Sequence, residues 1–400
     1  MISAAKTNCS FVGPRALFDQ FYIPPQILYR KNEEKSLFSI LKDSFSDNFS
    51  LNILYQGIQG IGKKVIVNKV IRDLSLLNPE LLNIRKAYID CRDKNLEEII
   101  ITLLTEIGFH QNINFNFKSL INSNISDLWK IFKLTCKKSD NDLLFVFNNI
   151  EHLKPEFFKK FLQYGKESNI SLISTGNQVL KSSTLDILSE FDIRKKLNYF
   201  SYKELHDIIK QRISLTFKYE VDKEFIEFIT DLIFEHHVPV PGKGIEILRD
   251  LYPFLSKQVE LSHLETFEIL QNQFESLQIT DEFSMLSYIS EAELLTIIFL
   301  DNLSNYFLKN SNFYITIDEL KELYYISCES IDFEKNIEEF KHLITTLRNI
   351  GILNASKKNP LNDFRFFNEN ILNYNFYFMV INPQNLKHIV DAIFNNHQNF

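Results

Sequence analysis

The spacing of hydrophobic residues changes character twice along this chain of 400 residues. Short runs rich in Ile, Val, Phe and Tyr occupy 51–56 (LNILYQ), 85–90 (RKAYID), 143–148 (LLFVFN), 170–175 (ISLIST) and 197–200 (LNYF). Between them, at 63–76, 96–107 and 125–137, apolar residues recur three and four positions apart. This alternation predicts an α/β core whose five parallel strands are joined by helices and covered on both faces. Beyond position 202 only the helical spacing persists, in Leu205, Ile208, Ile209 and Ile213, then in Phe225, Phe228, Ile229, Leu232 and Ile233. Pro239, Pro241, Gly242 and Gly244 predict a break before a helix at 245–255. From Ser290 a third pattern predicts helices at 291–308, 316–327 and 334–349, with Gly351-Ile352-Leu353 following. Lys357-Lys358-Asn359-Pro360 then reads as a turn before strands at 364–367 and 376–381. Three helices followed by a two-stranded ribbon predict a winged helix. The expected division is a core at 1–200, a small helical domain at 201–285 and a winged-helix domain at 286–400.

Composition narrows the class. With 45% hydrophobic and 24% charged residues the chain reads as globular, and no run approaches the roughly 18 apolar residues of a membrane span. Residues 1–20 lack a basic flank followed by an apolar stretch, so no secretory signal is expected. Cys9, Cys91, Cys136 and Cys328 are widely spaced and read as free thiols of a reducing compartment. The only close histidine pair, His236 and His237, would diverge on a helix, and no metal site is expected. A net charge of −7 argues against a surface coated for nucleic acid, so any DNA contact is expected to be local.

Candidate chemistry concentrates after the first predicted strand, in Gly57-Ile58-Gln59-Gly60-Ile61-Gly62-Lys63-Lys64. Gly57, Gly60, Gly62 and Lys63 fit a phosphate-binding loop, in which glycines let the backbone approach phosphate and the next helix offers its N-terminus to an anion. Such loops end in Lys followed by Ser or Thr, whose hydroxyl holds Mg²⁺. Here Lys64 stands in that place.

With these pieces in this order, the chain resembles the archaeal replication initiator family, relatives of eukaryotic origin recognition subunits and their cell-division-control loading partner. The resemblance spans about residues 16 to 381 and rests on several strings. Tyr22-Ile23-Pro24-Pro25-Gln26-Ile27-Leu28-Tyr29-Arg30, followed by Glu33 and Leu37, is similar to the segment that lies over the nucleotide base. Phe200-Ser201-Tyr202 with Leu205, Ile208, Ile209 and Arg212 is similar to the start of the lid. Ile315 to Leu320 with Tyr324 and Cys328, and Leu343 to Leu347 before Gly351, are similar to the winged helix. The resemblance implies an AAA+ core, a helical lid, a C-terminal winged helix, ATP or ADP as cofactor, and origin DNA and paralogous initiator subunits as partners. It also implies a cytoplasmic, nucleoid-associated protein, or a nuclear one in a eukaryote, with no membrane partner.

Against that family the nucleotide site departs in several places. Asn148 and Asn149 stand where the family carries Asp and Glu, the metal-holding acid and the base that polarises water. Glu151 lies two positions beyond the second carboxylate. Asn177 matches the sensor-one Asn, an alternative being a loop-capping role. Ile245 stands where sensor two carries Arg, with Lys243 nearby, and Arg194 is a candidate arginine finger with short spacing and a surface base as its alternative. No catalytic residue or metal ligand is therefore assigned. The expectation is a pseudo-ATPase that holds ATP or ADP without Mg²⁺, with Lys64 near the volume a metal fills, or else pointing to solvent. Replacing a hydroxyl by an ammonium and two acids by amides adds about three positive charges to the site.

The winged-helix region, 290–400, carries nine Lys and Arg against fourteen Asp and Glu. Lys335, Lys341, Arg348, Lys357, Lys358 and Arg365 are its candidate DNA-binding residues, a sparse face set among Glu334, Glu338 and Glu339. Two other readings stay open: an active, ATP-switched initiator ATPase, and an unrelated P-loop regulator of transcription or defence that carries a winged helix.

Overall fold

The computed structural model describes residues 11–77, 84–111, 117–139, 142–177, 185–236, 238–256, 287–290, 292–310, 312–358 and 374–397. The chain forms two compact units, Asp19–Tyr199 on one side and Met1–Phe18 with Phe200–Phe400 on the other. A single helical turn, α1 (Arg15–Phe18), precedes the first unit and packs with the second, where Arg212 donates to the Ala16 carbonyl at 2.6 Å and Arg249 to the Leu17 carbonyl at 2.7 Å.

The first unit alternates helices and strands in the order α2 (Lys31–Ser46), β1 (Asn52–Gln56), α3 (Lys63–Leu77), β2 (Arg85–Asp90), α4 (Leu96–Gln111), α5 (Phe117–Ile121), α6 (Ile125–Lys137), β3 (Leu143–Asn148), α7 (Pro155–Glu167), β4 (Ser171–Gly176), α8 (Leu185–Leu188) and β5 (Ile193–Lys196). The five strands are parallel and ordered 5-1-4-3-2, the arrangement of an AAA+ core. Strands β1, β3 and β4 are buried almost throughout, which is why each reads as an unbroken apolar run. Against β3, Phe132, Phe158 and Phe161 pack edge-to-face and tilted around Phe145 and Phe147. That cluster anchors α6 and α7 to one face of the sheet.

The fifth strand is not the apolar run 197–200. It is Ile193–Lys196, in register with β1 from Ile53↔Ile193 to Gln56↔Lys196. As an edge strand it pairs on one side only and exposes Arg194, Lys195 and Lys196, charges that blunt a free edge. Leu197 and Phe200 are buried in the connection that follows.

The second unit opens with α9 (Tyr202–Thr216), started by a capping box between Ser201 and Glu204, then α10 (Lys223–His236) and α11 (Pro241–Leu255). The chain does break between α10 and α11, where Pro239 lies, but the next helix starts at Pro241 and not at 245, so Gly242 and Gly244 fall inside it. Pro241 begins α11, and Gly244 lies inside it because a Cβ at that position would come within 3.1 Å of Ile209, whose helix packs against it. The same unit continues with α12 (Leu294–Lys309), β6 (Ile315–Thr316), α13 (Ile317–Glu329), α14 (Ile337–Ile350), β7 (Leu353–Ala355), β8 (Phe376–Met379) and α15 (Pro383–His397). The described elements follow the helix and strand order expected of a winged helix, with two additions. The ribbon is a three-stranded antiparallel sheet ordered β6-β8-β7, and α15 packs on α12. Gly351 ends α14 at φ 86°, a left-handed cap that turns the chain into β7. The predicted strand at 364–367, Arg365 and Cys9 lie outside the described residues. Among those described, no helix is long and apolar enough to cross a membrane.

Candidate nucleotide site and the lid-wing joint

The C-terminal ends of β1, β3 and β4 bring Gly57 to Lys64, Asn148, Asn149 and Asn177 to one rim of the sheet, the place where open α/β sheets bind ligands. In the loop after β1, Gly60 (φ 82°) and Gly62 (φ 102°) take left-handed conformations that side chains resist, and a Cβ on Gly62 would face open space. Lys63 starts α3 and is only 7% exposed. Its ammonium folds back on its own loop, donating to the Gly57 carbonyl, to the Ile58 carbonyl at 3.0 Å and to Asn177 Oδ1 at 3.3 Å. Burial pushes its pKa down to about 8, with the nearby Glu151 opposing that shift.

Lys64 neither enters the loop nor points freely to solvent. Its Nζ lies 3.1 Å from Asp90 Oδ2, an ion pair that sequence reasoning missed. Asp90 ends β2, in register with Asn148 on the adjacent strand. Its carboxylate also accepts from Arg92 Nε at 3.1 Å and Nη2 at 2.8 Å, and from Asn149 Nδ2 at 2.8 Å. Partial burial pushes the carboxyl up, but the hydrogen bonds from Arg92, Asn149 and Lys64 outweigh it and hold Asp90 well below the usual carboxylate range.

Asn148 and Asn149, at the end of β3 where P-loop proteins carry the acidic segment called Walker B, are both engaged. Asn148 Oδ1 accepts from Thr175 Oγ at 3.0 Å, and Asn149 adopts a left-handed conformation that aims its side chain at Asp90. Glu151, in the single helical turn at Ile150–His152, accepts from the backbone of Asn177 at 3.3 Å and from its side-chain amide. The expected gain of three positive charges is therefore offset in part by Asp90, one strand away, and Glu151, two residues on. Asp90 was findable in principle, since it closes the predicted strand next to Walker B, but only the strand order makes it a neighbour.

The residues present fit a nucleotide phosphate, through the glycine turns, the α3 N-terminus and two lysines. At the positions that hold Mg²⁺ and polarise water in such proteins stand Lys64, Asn148 and Asn149, which offer no charged oxygen to a cation. The amides carry no charge, and Asp90 already serves two cations and an amide. Among the described residues no group of three or more His, Cys, Asp or Glu can hold a metal.

In the other unit, Lys243 pairs with Glu246 at 3.5 Å, and Ile245 is half-buried at the sensor-two position. Four of the candidate DNA residues, Lys335, Lys341, Lys357 and Lys358, meet acids. Lys335 pairs with Glu329, and Lys341 with Glu338 at 2.7 Å. Lys357 pairs with Glu235 at 3.2 Å. Lys358 bonds Glu227 at 2.9 Å, while its ammonium sits 3.7 Å from the Tyr314 ring centre and 4.3 Å from that of Phe376. The wing-root lysines are thus turned onto α10 instead of outward.

Between them lies Asp231, fully buried on α10 and unnoticed in the sequence. It accepts from Tyr314 OH at 2.6 Å, Ser356 Oγ at 2.7 Å, the Lys357 backbone at 2.9 Å and Tyr202 OH at 3.3 Å. One carboxylate thereby ties the lid helices to the base of the wing. Burial pushes its pKa up to about 6, against the pull of the hydrogen bonds from Tyr314 and Ser356.

No family model and no curated protein matches this sequence. Solved structures do share its fold. Cdc6p from Pyrobaculum aerophilum is 15% identical with a TM-score of 0.73, over 97% of this chain and all of that one. The ORC2 protein of Aeropyrum pernix in ADPNP and ADP complexes is 16% identical with a TM-score of 0.53, over 98% of this chain and all of that one. The ORC1 protein of the same organism in complex with DNA is 14% identical with a TM-score of 0.55, over 95% and 96%. The chain has the fold of these initiators along nearly its whole length.

Proposed function

We propose that this protein is a replication-initiator-like subunit of the AAA+ class, acting at origin DNA or within a multi-subunit initiator with paralogous chains, without hydrolysing ATP. The fold shared with Cdc6p and the two ORC proteins over nearly the whole chain supports the initiator half of this reading. One observation carries the other half. Both amides at Walker B are built into hydrogen bonds, and the lysine that replaces the metal-holding hydroxyl is ion-paired to Asp90. A base and a metal support are absent together, which costs orders of magnitude in hydrolysis.

Nucleotide, in this reading, is held structurally: Gly60, Gly62 and the α3 N-terminus face the phosphates with Lys63 beside them, while Lys64 must leave Asp90 to supply charge that Mg²⁺ otherwise provides. The core at 1–200, lid at 201–285 and winged helix at 286–400 form the proposed functional division. DNA contact by the wing is modest and salt-sensitive, since Lys357 and Lys358 must leave acidic partners to reach phosphate.

The test is ATP titration of the purified chain with Mg²⁺ and in chelator, followed by turnover and thermal unfolding. Stabilisation in chelator should follow mass action, about 2.7 kcal/mol at one hundred times the dissociation constant, with negligible turnover. Turnover abolished by Lys63→Ala would instead establish an active ATPase. Promoter-like rather than origin-like chromosome occupancy would favour the regulator.

A further inference from the structure

We infer that the groove between α6 and α7 is a docking site for an acidic segment of a partner protein that carries apolar anchors. The groove has a volume of about 560 Å³ and lies on the face of the core unit formed by Leu96, Trp129, Lys133, Phe157, Lys160 and Tyr164, far in sequence from the phosphate loop. Its floor is aromatic. Trp129 meets Tyr164 edge-to-face at 5.9 Å and Phe161 at 4.9 Å, so the ring is held by the core while part of it faces the groove. Ile125, 39% exposed and one turn before Trp129, extends the apolar surface along α6.

The cations separate into two groups. Lys130, Lys159 and Lys166, on the same two helices, are each paired with an acid: Asp127 at 3.0 Å, Glu190 at 3.8 Å and Asp192 at 3.2 Å. Lys133, Lys154 and Lys160 have no carboxylate within ion-pair distance among the described residues. They lie over rings instead. Lys133 is 5.8 Å from the Trp129 centre and 5.0 Å from that of Tyr164, while Lys154 and Lys160 are 5.9 and 5.6 Å from Phe157. The rings hold the Lys133 and Lys160 ammonium groups at the groove, and Lys154 beside Phe157 next to it, and leave their charge uncompensated. Helices α6 and α7 together carry six Lys against three Asp and Glu, in a chain whose net charge is −7.

This pattern selects the occupant. A peptide with carboxylates spaced around Leu or Phe can pair with the three ammonium groups while its apolar residues enter between Trp129 and Phe157. A single nucleic-acid strand fits less well. Base stacking needs open ring faces, and here ammonium groups already cover them, while the acidic chain opposes a polyanion over a longer range. Glu167, at one end of the groove, limits where the acidic side chains can lie.

Trp129 is the only tryptophan of the chain, so its emission reads the groove directly. The full chain is titrated with a short synthetic peptide of Asp and Glu interrupted by Leu and Phe at helical spacing. The same peptide with Asn and Gln in place of the acids, and an oligothymidylate of equal length, serve as competitors. We expect a saturable emission change that weakens with salt, with binding lowered roughly tenfold or more by K133E/K154E/K160E and by the neutral peptide. F157A, which alters no charge, should also weaken binding while leaving the thermal unfolding midpoint near that of the wild type. Equal binding of the neutral peptide, no loss in the triple variant, or preference for oligothymidylate would each overturn the proposal. None of these readouts depends on nucleotide binding or hydrolysis, so the initiator reading stands or falls separately.

Discussion

Two carboxylates in this molecule are each held by several donors, and they respond in opposite directions. Asp90, at the rim of the nucleotide site, is partly exposed and bonded by two cations, Lys64 and Arg92, with the amide of Asn149. Asp231, in the lid, is fully buried, and its donors are two tyrosines, a serine and a backbone N–H. Charged donors in partial solvent stabilise the anion at little desolvation cost, so the Asp90 carboxyl is pushed down. Neutral donors in a dry interior satisfy the lone pairs but do not cancel the cost of burying the charge, so that of Asp231 rises to about 6. The first arrangement neutralises a binding site; the second joins structural elements.

The largest expected effect comes from breaking the second. Asp231→Ala leaves Tyr314, Ser356 and the Lys357 N–H without this acceptor in the interior, and should destabilise the lid-wing unit by about 3 to 5 kcal/mol. Chemical denaturation of the full chain, read with hydrogen exchange across α10 and the wing root, measures it. A loss under about 1 kcal/mol would mean the contact is incidental.

The pH response sharpens the contrast. Asp231 has a folded pKa above its unfolded value near 4, so its favourable contribution is complete below pH 4 and is lost as pH rises through 6. The stability of the wild type relative to Asp231→Asn should therefore fall by about 2 to 3 kcal/mol between pH 4 and pH 7. Asp90 runs the other way: depressed in the fold, its contribution is present above pH 4 and is lost as pH falls below that value. Comparison of wild type with Asp90→Asn from about pH 4 down to about pH 2 should give the opposite slope. A common sign for both variants would refute the distinction.

Next in size is Lys358→Ala, which removes an ion pair to Glu227 and the ammonium against Tyr314 and Phe376. A cost of about 1 to 2 kcal/mol to the lid-wing unit is expected, with wing mobility rising in hydrogen exchange. Were Lys358 chiefly a phosphate contact, the variant would instead lower the salt slope of DNA binding and leave stability unchanged.

The smallest effect on stability should come from Asp90→Asn, below about 1 kcal/mol, because the pair is solvent-screened and weakens further with salt. Its effect on ligand should be clearer. Freed from Asp90, Lys64 and Arg92 add positive potential at the site, and ADP affinity in chelator should rise by roughly threefold to tenfold. Unchanged affinity would show that neither cation reaches the phosphates.

The sequence alone determined the order of elements and much of their extent. Strands β1, β3 and β4 are buried almost throughout and are built mainly from apolar residues, so their runs are readable by eye. The glycine loop, Lys63, the two amides and Asn177 were likewise legible, because each follows a strand at a fixed place. The edge strand β5 was not, since a strand paired on one side tolerates Arg194, Lys195 and Lys196. Nor were Pro241 and Gly244 legible as parts of α11, because a helix start and a close approach of two helices look the same as a break in one dimension.

What only the tertiary structure decided is where each charge goes. Lys64 reads as a substitution that adds positive charge to a phosphate site until the strand order places β2 beside β3 and brings Asp90 to it. Lys357 and Lys358 read as wing contacts for DNA until the chain fold turns them onto Glu235 and Glu227. Asp231 lies in an ordinary amphipathic helix, and nothing local distinguishes it from a solvent-facing acid. Hydrophobic spacing is a local property repeated along the chain, so it survives in the sequence. The energy of a charge is set by whichever groups lie within a few ångströms, and in these three cases they arrive from 26 to 131 residues away.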